Sequence, residues 1–139
     1  TEASTTIEAG ATTWTNVPQT AEAAFGEHGG ASAATAGSIA EVAVASETGE
    51  IVVDVVGTQA YWITVSPGAG QTVRWSELGS WANAAASSKA GEPMTTMSWT
   101  LSGSEYWSIS AVAVRPTSPA LFADGFESGD TGGWSGTLP

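Results

Sequence analysis

The sequence predicts an all-β protein, a jelly-roll-like β-sandwich of about eight short antiparallel strands followed by an extended C-terminal tail. Three observations predict it. Apolar and polar residues alternate with a period of two in segment after segment, as at 39–45 (IAEVAVA) and 95–102 (TTMSWTLS). Those segments are separated by turn-forming clusters such as Glu47-Thr48-Gly49-Glu50 and Pro67-Gly68-Ala69-Gly70. Helix-length amphipathic periodicity is missing, apart from one turn's worth at 21–25 (AEAAF).

Each element follows in order. Residues 5–17 are rich in Thr and carry Ile7 and Trp14 as apolar points before the stop at Pro18. Residues 20–37 are a run of small residues, read as one helical turn at 21–25 and loop thereafter. In 39–45 the alternation turns Glu41 outward, and after the turn at 47–50 the run 51–56 (IVVDVV) is apolar on both faces except at Asp54. A run of that kind suits a central strand covered on both sides. Residues 61–66 (YWITVS) read as the next strand, with Tyr61 and Trp62 on opposite faces. At 71–75, strict alternation sets Val73 and Trp75 on one face and Thr72 and Arg74 on the other. The Ala- and Ser-rich stretch 81–89 reads as a strand packed closely against its neighbours. Segment 93–102 places Met97, Trp99 and Leu101 on one face; 106–115 alternates Trp107 and Ile109 with Ser108 and Ser110. With Ser102-Gly103-Ser104 between them, the last two read as a hairpin, closed by Pro116 and Pro119. The division is a sandwich domain over 1–116 and a tail over 117–139.

Composition restricts function. The chain of 139 residues carries 14 Asp and Glu against 3 Lys and Arg, for a formal net charge of −11. Such a surface does not bind nucleic-acid backbones, whose recognition requires cationic side chains that displace counterions. Attraction to anionic lipid fails for the same reason, and no apolar run approaches the length of a membrane span, so no membrane insertion is expected. Charged residues make up only 12% of the chain, about half the usual share, and Ser, Thr and Gly supply the polarity. That balance suits an extracellular protein with few sites for proteases that cut at Lys or Arg. There is no Cys, hence no redox signal.

Catalytic chemistry finds little footing. The one histidine, His28, stands in GEHGG, where flanking glycines hold a general base poorly. The acids Glu8, Glu41 and Asp54 fall at strand positions that a solvated outer face explains, although Asp54 needs a hydrogen-bond partner if buried. No enzyme is expected. The tail combines Phe122, Phe126 and Trp134 with Asp124, Glu127 and Asp130. The carboxylates, on a glycine-rich turning backbone, form a possible calcium site that lacks EF-hand spacing; no other cofactor is expected. Solvated loop acids are the simpler reading of them. The chain has 7 Trp, and exposed flat rings stack on sugars. Tyr61, Trp62, Trp75 and Trp81 are therefore the candidates for glycan contact, and the simpler reading of them is core or subunit contact.

Residues 14–116 resemble, in order of elements, a β-sandwich domain common in secreted bacterial and phage-associated proteins. The stretches that carry the likeness are TNVPQT (15–20), SETGEIVVDVVG (46–57), GAGQTVRW (68–75), SSKAG (87–91), TTMSWTLS (95–102) and WSISAVAVRP (107–116). The tail, FADGFESGD with Trp134, is similar to a C-terminal motif that ends many secreted bacterial proteins. The resemblance implies further strands ahead of TNVPQT, and without them the sandwich exposes an apolar groove and unpaired backbone. Such a gap is a template for a donated strand. The expectation is thus an extracellular or cell-surface structural subunit that assembles with copies of itself into a filament or surface layer by strand or tail exchange. Phe122, Phe126, Trp134 and Trp14 are its subunit-contact anchors. The alternative is a carbohydrate-binding module of a larger secreted protein, with glycans as partner.

Overall fold

A computed structural model describes residues 9–79 and 81–117. One short helix, α1 (Ala21–Ala24), is followed by eight strands: β1 (Phe25–Ser32), β2 (Gly37–Val44), β3 (Ile51–Thr58), β4 (Val65–Pro67), β5 (Thr72–Leu78), β6 (Asn83–Ala90), β7 (Thr95–Glu105) and β8 (Trp107–Val114). They form two antiparallel sheets, one of five strands in the order β1-β8-β3-β6-β5 and one of three in the order β2-β7-β4. The sheets pack face to face, so the all-β sandwich that the alternation predicts is the architecture.

Strand β3 owes its central place to its composition. Val52 and Val56 point inward and are fully buried, next to Ile109, Ala111 and Ala113 of β8 and Ala85 of β6. Met97, Trp99 and Leu101 of β7 close the core from the other sheet, on the single face that alternation assigns them. Burying a side chain of this size contributes about 1.5–3 kcal/mol. Glu41 faces out, as expected. The turn between β2 and β3 is made by Gly49, whose φ of 96° lies in the left-handed region that a side chain disfavours.

The one charged residue of β3 is held by donors from both sheets. Asp54 Oδ1 accepts hydrogen bonds from Ser87 N and Ser87 Oγ, both at 2.7 Å, and Oδ2 accepts one from Trp99 Nε1 at 2.7 Å. Asp54 is therefore an inter-sheet tie and not the solvated outer acid that its strand position suggests. Burial raises its pKa above the usual carboxylate range, against the opposing pull of the Ser87 and Trp99 hydrogen bonds.

Further expectations are corrected. The Gly- and His-containing stretch after α1 is strand β1, not loop, because its backbone groups pair with β8 from Phe25↔Val114 to Ser32↔Ser108. Strands β7 and β8 do not form a hairpin. β7 runs on through Ser102-Gly103-Ser104 to Glu105 and belongs to the small sheet, while β8 crosses to the large one. Residues 61–64 are turn and coil, so the strand expected at 61–66 is reduced to β4. Tyr61 and Trp62 are consequently not on opposite faces; both are exposed and their rings meet edge to face, with centroids 4.9 Å apart. Residues 9–17 carry no strand.

The last correction concerns β5. Val73 pairs with Ser87 and Trp75 with Ala86, so a bulge at Arg74 sits between them. Ser87 and Ala86 are successive residues of β6 and point to opposite faces, and directly paired residues share a face. Val73 therefore points toward the inner side and Trp75 outward, which simple alternation misassigns.

Candidate functional site

The outer face of the five-stranded sheet is recessed, and its residues explain why. The second face of β3 presents Val53 and Val55. Small residues flank them: Ala84 and Ala86 on β6, Ser108 and Ser110 on β8, and Gly30 on β1. Short neighbours leave the floor low. Trp75 of β5 stands on one side and His28, paired with Val112, on the other. The result is an open trough of about 750 Å³ floored by hydrocarbon, in which Val55 is 43% exposed. A smaller hollow continues it toward Gly57, Ser108 and Tyr106, and another, of about 70 Å³, lies at the opposite end against Trp14, Ile51, Val114 and Pro116.

Residues 9–14 already lie across part of this face. Ala9, Gly10 and Thr12 line the trough, and Gly10 sits so close to the Trp75 indole that a Cβ there would overlap it. Arg74, on the outer side through the bulge, donates from Nε to Ser88 Oγ at 2.8 Å and stacks its guanidinium 4.9 Å from the centre of the Trp14 ring. An extended peptide is thus one thing this face accommodates.

A second surface is defined by what it lacks. Val73 pairs with Ser87 and Leu78 with Asn83, and both partners are buried inside the sandwich. Val73 and Leu78 point to the same inner side, yet they are 42% and 63% exposed. The small sheet has three strands against five, and its last, β4, pairs with β7 only at Val65↔Leu101, Ser66↔Thr100 and Pro67↔Trp99. Among the described residues, the small sheet ends at β4 and leaves these two inner-side chains of β5 open to water. An apolar strip and a sheet edge are left side by side.

The expected site residues divide accordingly. Trp75 lines the trough and Trp14 the small hollow at its end, and both pack against this chain's own residues. Tyr61, Trp62 and Trp81 lie at the Asn83 end of the sandwich, where Asn83 Nδ2 donates to the carbonyls of Tyr61, at 2.9 Å, and Ile63. Trp62 is 66% and Trp81 72% exposed. The four glycan candidates therefore do not form one platform. Phe122, Phe126, Trp134, Asp124, Glu127 and Asp130 lie outside the described residues. Among the described residues, no cluster of His, Cys, Asp or Glu is arranged to hold a metal ion, and no helix is long and apolar enough to cross a membrane.

Sequence reasoning missed Val53, Val55 and Val112 as a surface. Their signal was present in IVVDVV and AVAV, but only the pairing of β3 with β6 and β8 brings the small neighbours beside them. Chemically the trough suits hydrocarbon. Asp54 borders it through its backbone, while its carboxylate points to the opposite face. The fold and these surfaces together define an all-β sandwich with two unsatisfied apolar surfaces. No protein-family model matches the chain, and no curated protein or solved structure matches it either.

Proposed function

We propose that this protein is an extracellular structural subunit that assembles with copies of itself, into a filament or surface layer, through exchange of a chain segment. The observation that carries the reading is the exposed apolar strip on the inner side of β5. Val73 and Leu78 face the interior side of a sandwich that leaves them open to water, beside the short edge strand β4. Apolar groups next to unpaired backbone are what a strand from a neighbouring copy satisfies, by main-chain pairing and side-chain burial together. Donation from each copy to the next does not close on itself and so builds a fibre. The acidic, lysine-poor, Ser- and Thr-rich composition supports an extracellular setting. The Thr-rich segment before Trp14 and the aromatic tail with Phe122, Phe126 and Trp134 are the candidate donors.

Electron microscopy of the purified full chain tests the reading directly. Filaments or sheets are expected for the parent protein, and Leu78→Asp combined with Val73→Asp abolishes them while the circular dichroism of the β fold is retained. A parent chain that stays monomeric at high concentration overturns the proposal.

A second reading has its own observation. Tyr61, Trp62 and Trp81 are exposed rings at one end of the sandwich, and such rings bind sugar faces in a carbohydrate-binding module. Calorimetric titration against a polysaccharide panel separates the two. Heat that disappears in Trp62→Ala and Trp81→Ala supports a glycan site, and a flat titration removes it.

A further inference from the structure

The outer face of β3 changes character along its length. Val53 and Val55 floor the trough, and the next outward positions are Gly57 and Gln59. Around these two lies the hollow at the far end of the trough, about 400 Å³, bordered by Ala82 and Ala84 on one side and Tyr106 and Ser108 on the other. Gly57 pairs with both Ala84 and Ser108. Gln59 N donates to Tyr106 O at 3.2 Å, which continues the β3–β8 ladder and sets the two side chains beside each other on the outward face. Gln59 and Ser108 are exposed, and Tyr106 is half exposed. The hollow therefore offers a floor of small residues, one aromatic ring, and an amide and two hydroxyls that donate and accept hydrogen bonds.

Gly57 points to a ligand. A glycine inside a strand costs backbone entropy and packs nothing against its neighbours. Neither reason for which a fold demands glycine applies to it. Its φ is not in the left-handed region that Gly49 and Gly70 occupy, and a Cβ built on it meets only Ser108 Oγ, at 3.8 Å, an ordinary contact. A side chain there would instead raise the floor and fill the hollow. A strand glycine of this kind keeps room for a group that approaches from outside.

We propose that this hollow is a subsite for a neutral glycan, one sugar ring seated over Gly57 against the Tyr106 ring and hydrogen-bonded through its hydroxyls to Gln59 and Ser108. The proposal rests on the glycan reading of the exposed rings and deepens it, since Tyr61, Trp62 and Trp81 lie at the same Asn83 end and Asn83 borders the hollow. A sugar presents C–H groups on its face and hydroxyls on its rim, which is the pattern that a ring and neutral polar side chains complement. Charge selects a neutral ligand. The three cations of the chain are all committed elsewhere: Lys89 pairs with Val52 and Arg115 follows the end of β8, both at the opposite end of β3, and Arg74 is engaged with Ser88 and Trp14. Glu77, paired with Ala84, stands beside the hollow on the same face. An acidic polysaccharide would meet that carboxylate and a net charge of −11.

Calorimetric titration of the full chain tests the subsite, with a soluble β-glucan, a xylan and a galactomannan as neutral polymers and polygalacturonate and alginate as acidic ones. Heat is expected with at least one neutral polymer and with neither acidic one. Gly57→Val is expected to weaken that binding about tenfold or more, while its urea midpoint stays at or above the parent's because a β-branched residue favours the strand. Tyr106→Ala combined with Gln59→Leu, both at exposed positions, is expected to give a similar loss. That double variant decides the matter if Gly57→Val lowers the urea midpoint: a tenfold loss upholds the subsite, and an unchanged affinity overturns it. Affinity unchanged in both variants but lost in Trp62→Ala overturns the subsite and leaves the glycan reading standing. Tighter binding of the acidic polymers overturns the assignment of a neutral ligand, and no heat with any polymer overturns the subsite and the glycan reading together.

Discussion

The two faces of β3 are built from one six-residue run, IVVDVV, and their fates differ. On the inner face Val52 and Val56 are fully buried and Asp54 is tied to Ser87 and Trp99. On the outer face, among the described residues, Val53 and Val55 have no second sheet above them, only the thin cover of residues 9–14. Equal hydrophobicity thus produces a core on one side and a binding surface on the other. The difference lies in what is stacked against each face. A strand apolar on both faces requires two covers, and when the fold provides one, the other becomes a functional question.

The largest effect that sharpens this contrast comes from the inner side. Trp99→Ala removes the largest buried ring and one of the Asp54 donors, and is expected to cost about 3–5 kcal/mol, read from the urea unfolding midpoint. Asp54→Asn comes next. An amide cannot accept from Trp99 Nε1 and Ser87 N at once without turning its own NH₂ toward one of those donors, so a loss of about 1–3 kcal/mol is expected. Two adjacent substitutions then compare the faces directly. Val56→Thr buries a hydroxyl in hydrocarbon and is expected to cost about 1–3 kcal/mol, whereas Val55→Thr stays within about 0.5 kcal/mol. Equal losses at the two positions would break the contrast.

The smallest effect is in pH dependence. The Asp54 pKa is raised in the folded protein, so the folded state binds its proton more tightly than the unfolded chain does. The associated stability is fully present below the ordinary carboxylate range and is lost as the pH rises through the raised value. The margin of the parent over Asp54→Asn should therefore narrow as the pH rises above the ordinary carboxylate range, about pH 4, measured as the difference of their urea midpoints. A margin that widens with pH would mean that the hydrogen bonds from Ser87 and Trp99 outweigh desolvation.

Much of this was legible in the chain, and the unread parts share a cause. Met97, Trp99 and Leu101 were assigned to one buried face by alternation alone, and β3 to the centre by its two apolar faces. Those are local properties of a period-two backbone. β1 escaped because Gly29, Gly30 and His28 have little strand preference; backbone hydrogen bonds to β8 override it. Strands β7 and β8 looked like a hairpin because a Ser-Gly-Ser turn signal joins them, and only packing sends β8 into the opposite sheet. Trp75 escaped because one extra residue, Arg74, inverts the pattern of every side chain after it.

By itself, then, the sequence determined the fold class, the strands with strong alternation, the core ring of Trp99 and the acidic, cysteine-free surface. Tertiary structure alone decided that Asp54 joins two sheets, that Val73 and Leu78 stay exposed on the inner side, and that Val53 and Val55 floor a trough. The physical reason is that side-chain direction is set by neighbouring residues along the strand, whereas cover is set by partners distant in sequence. A run such as IVVDVV states how much apolar surface must be buried and not what buries it.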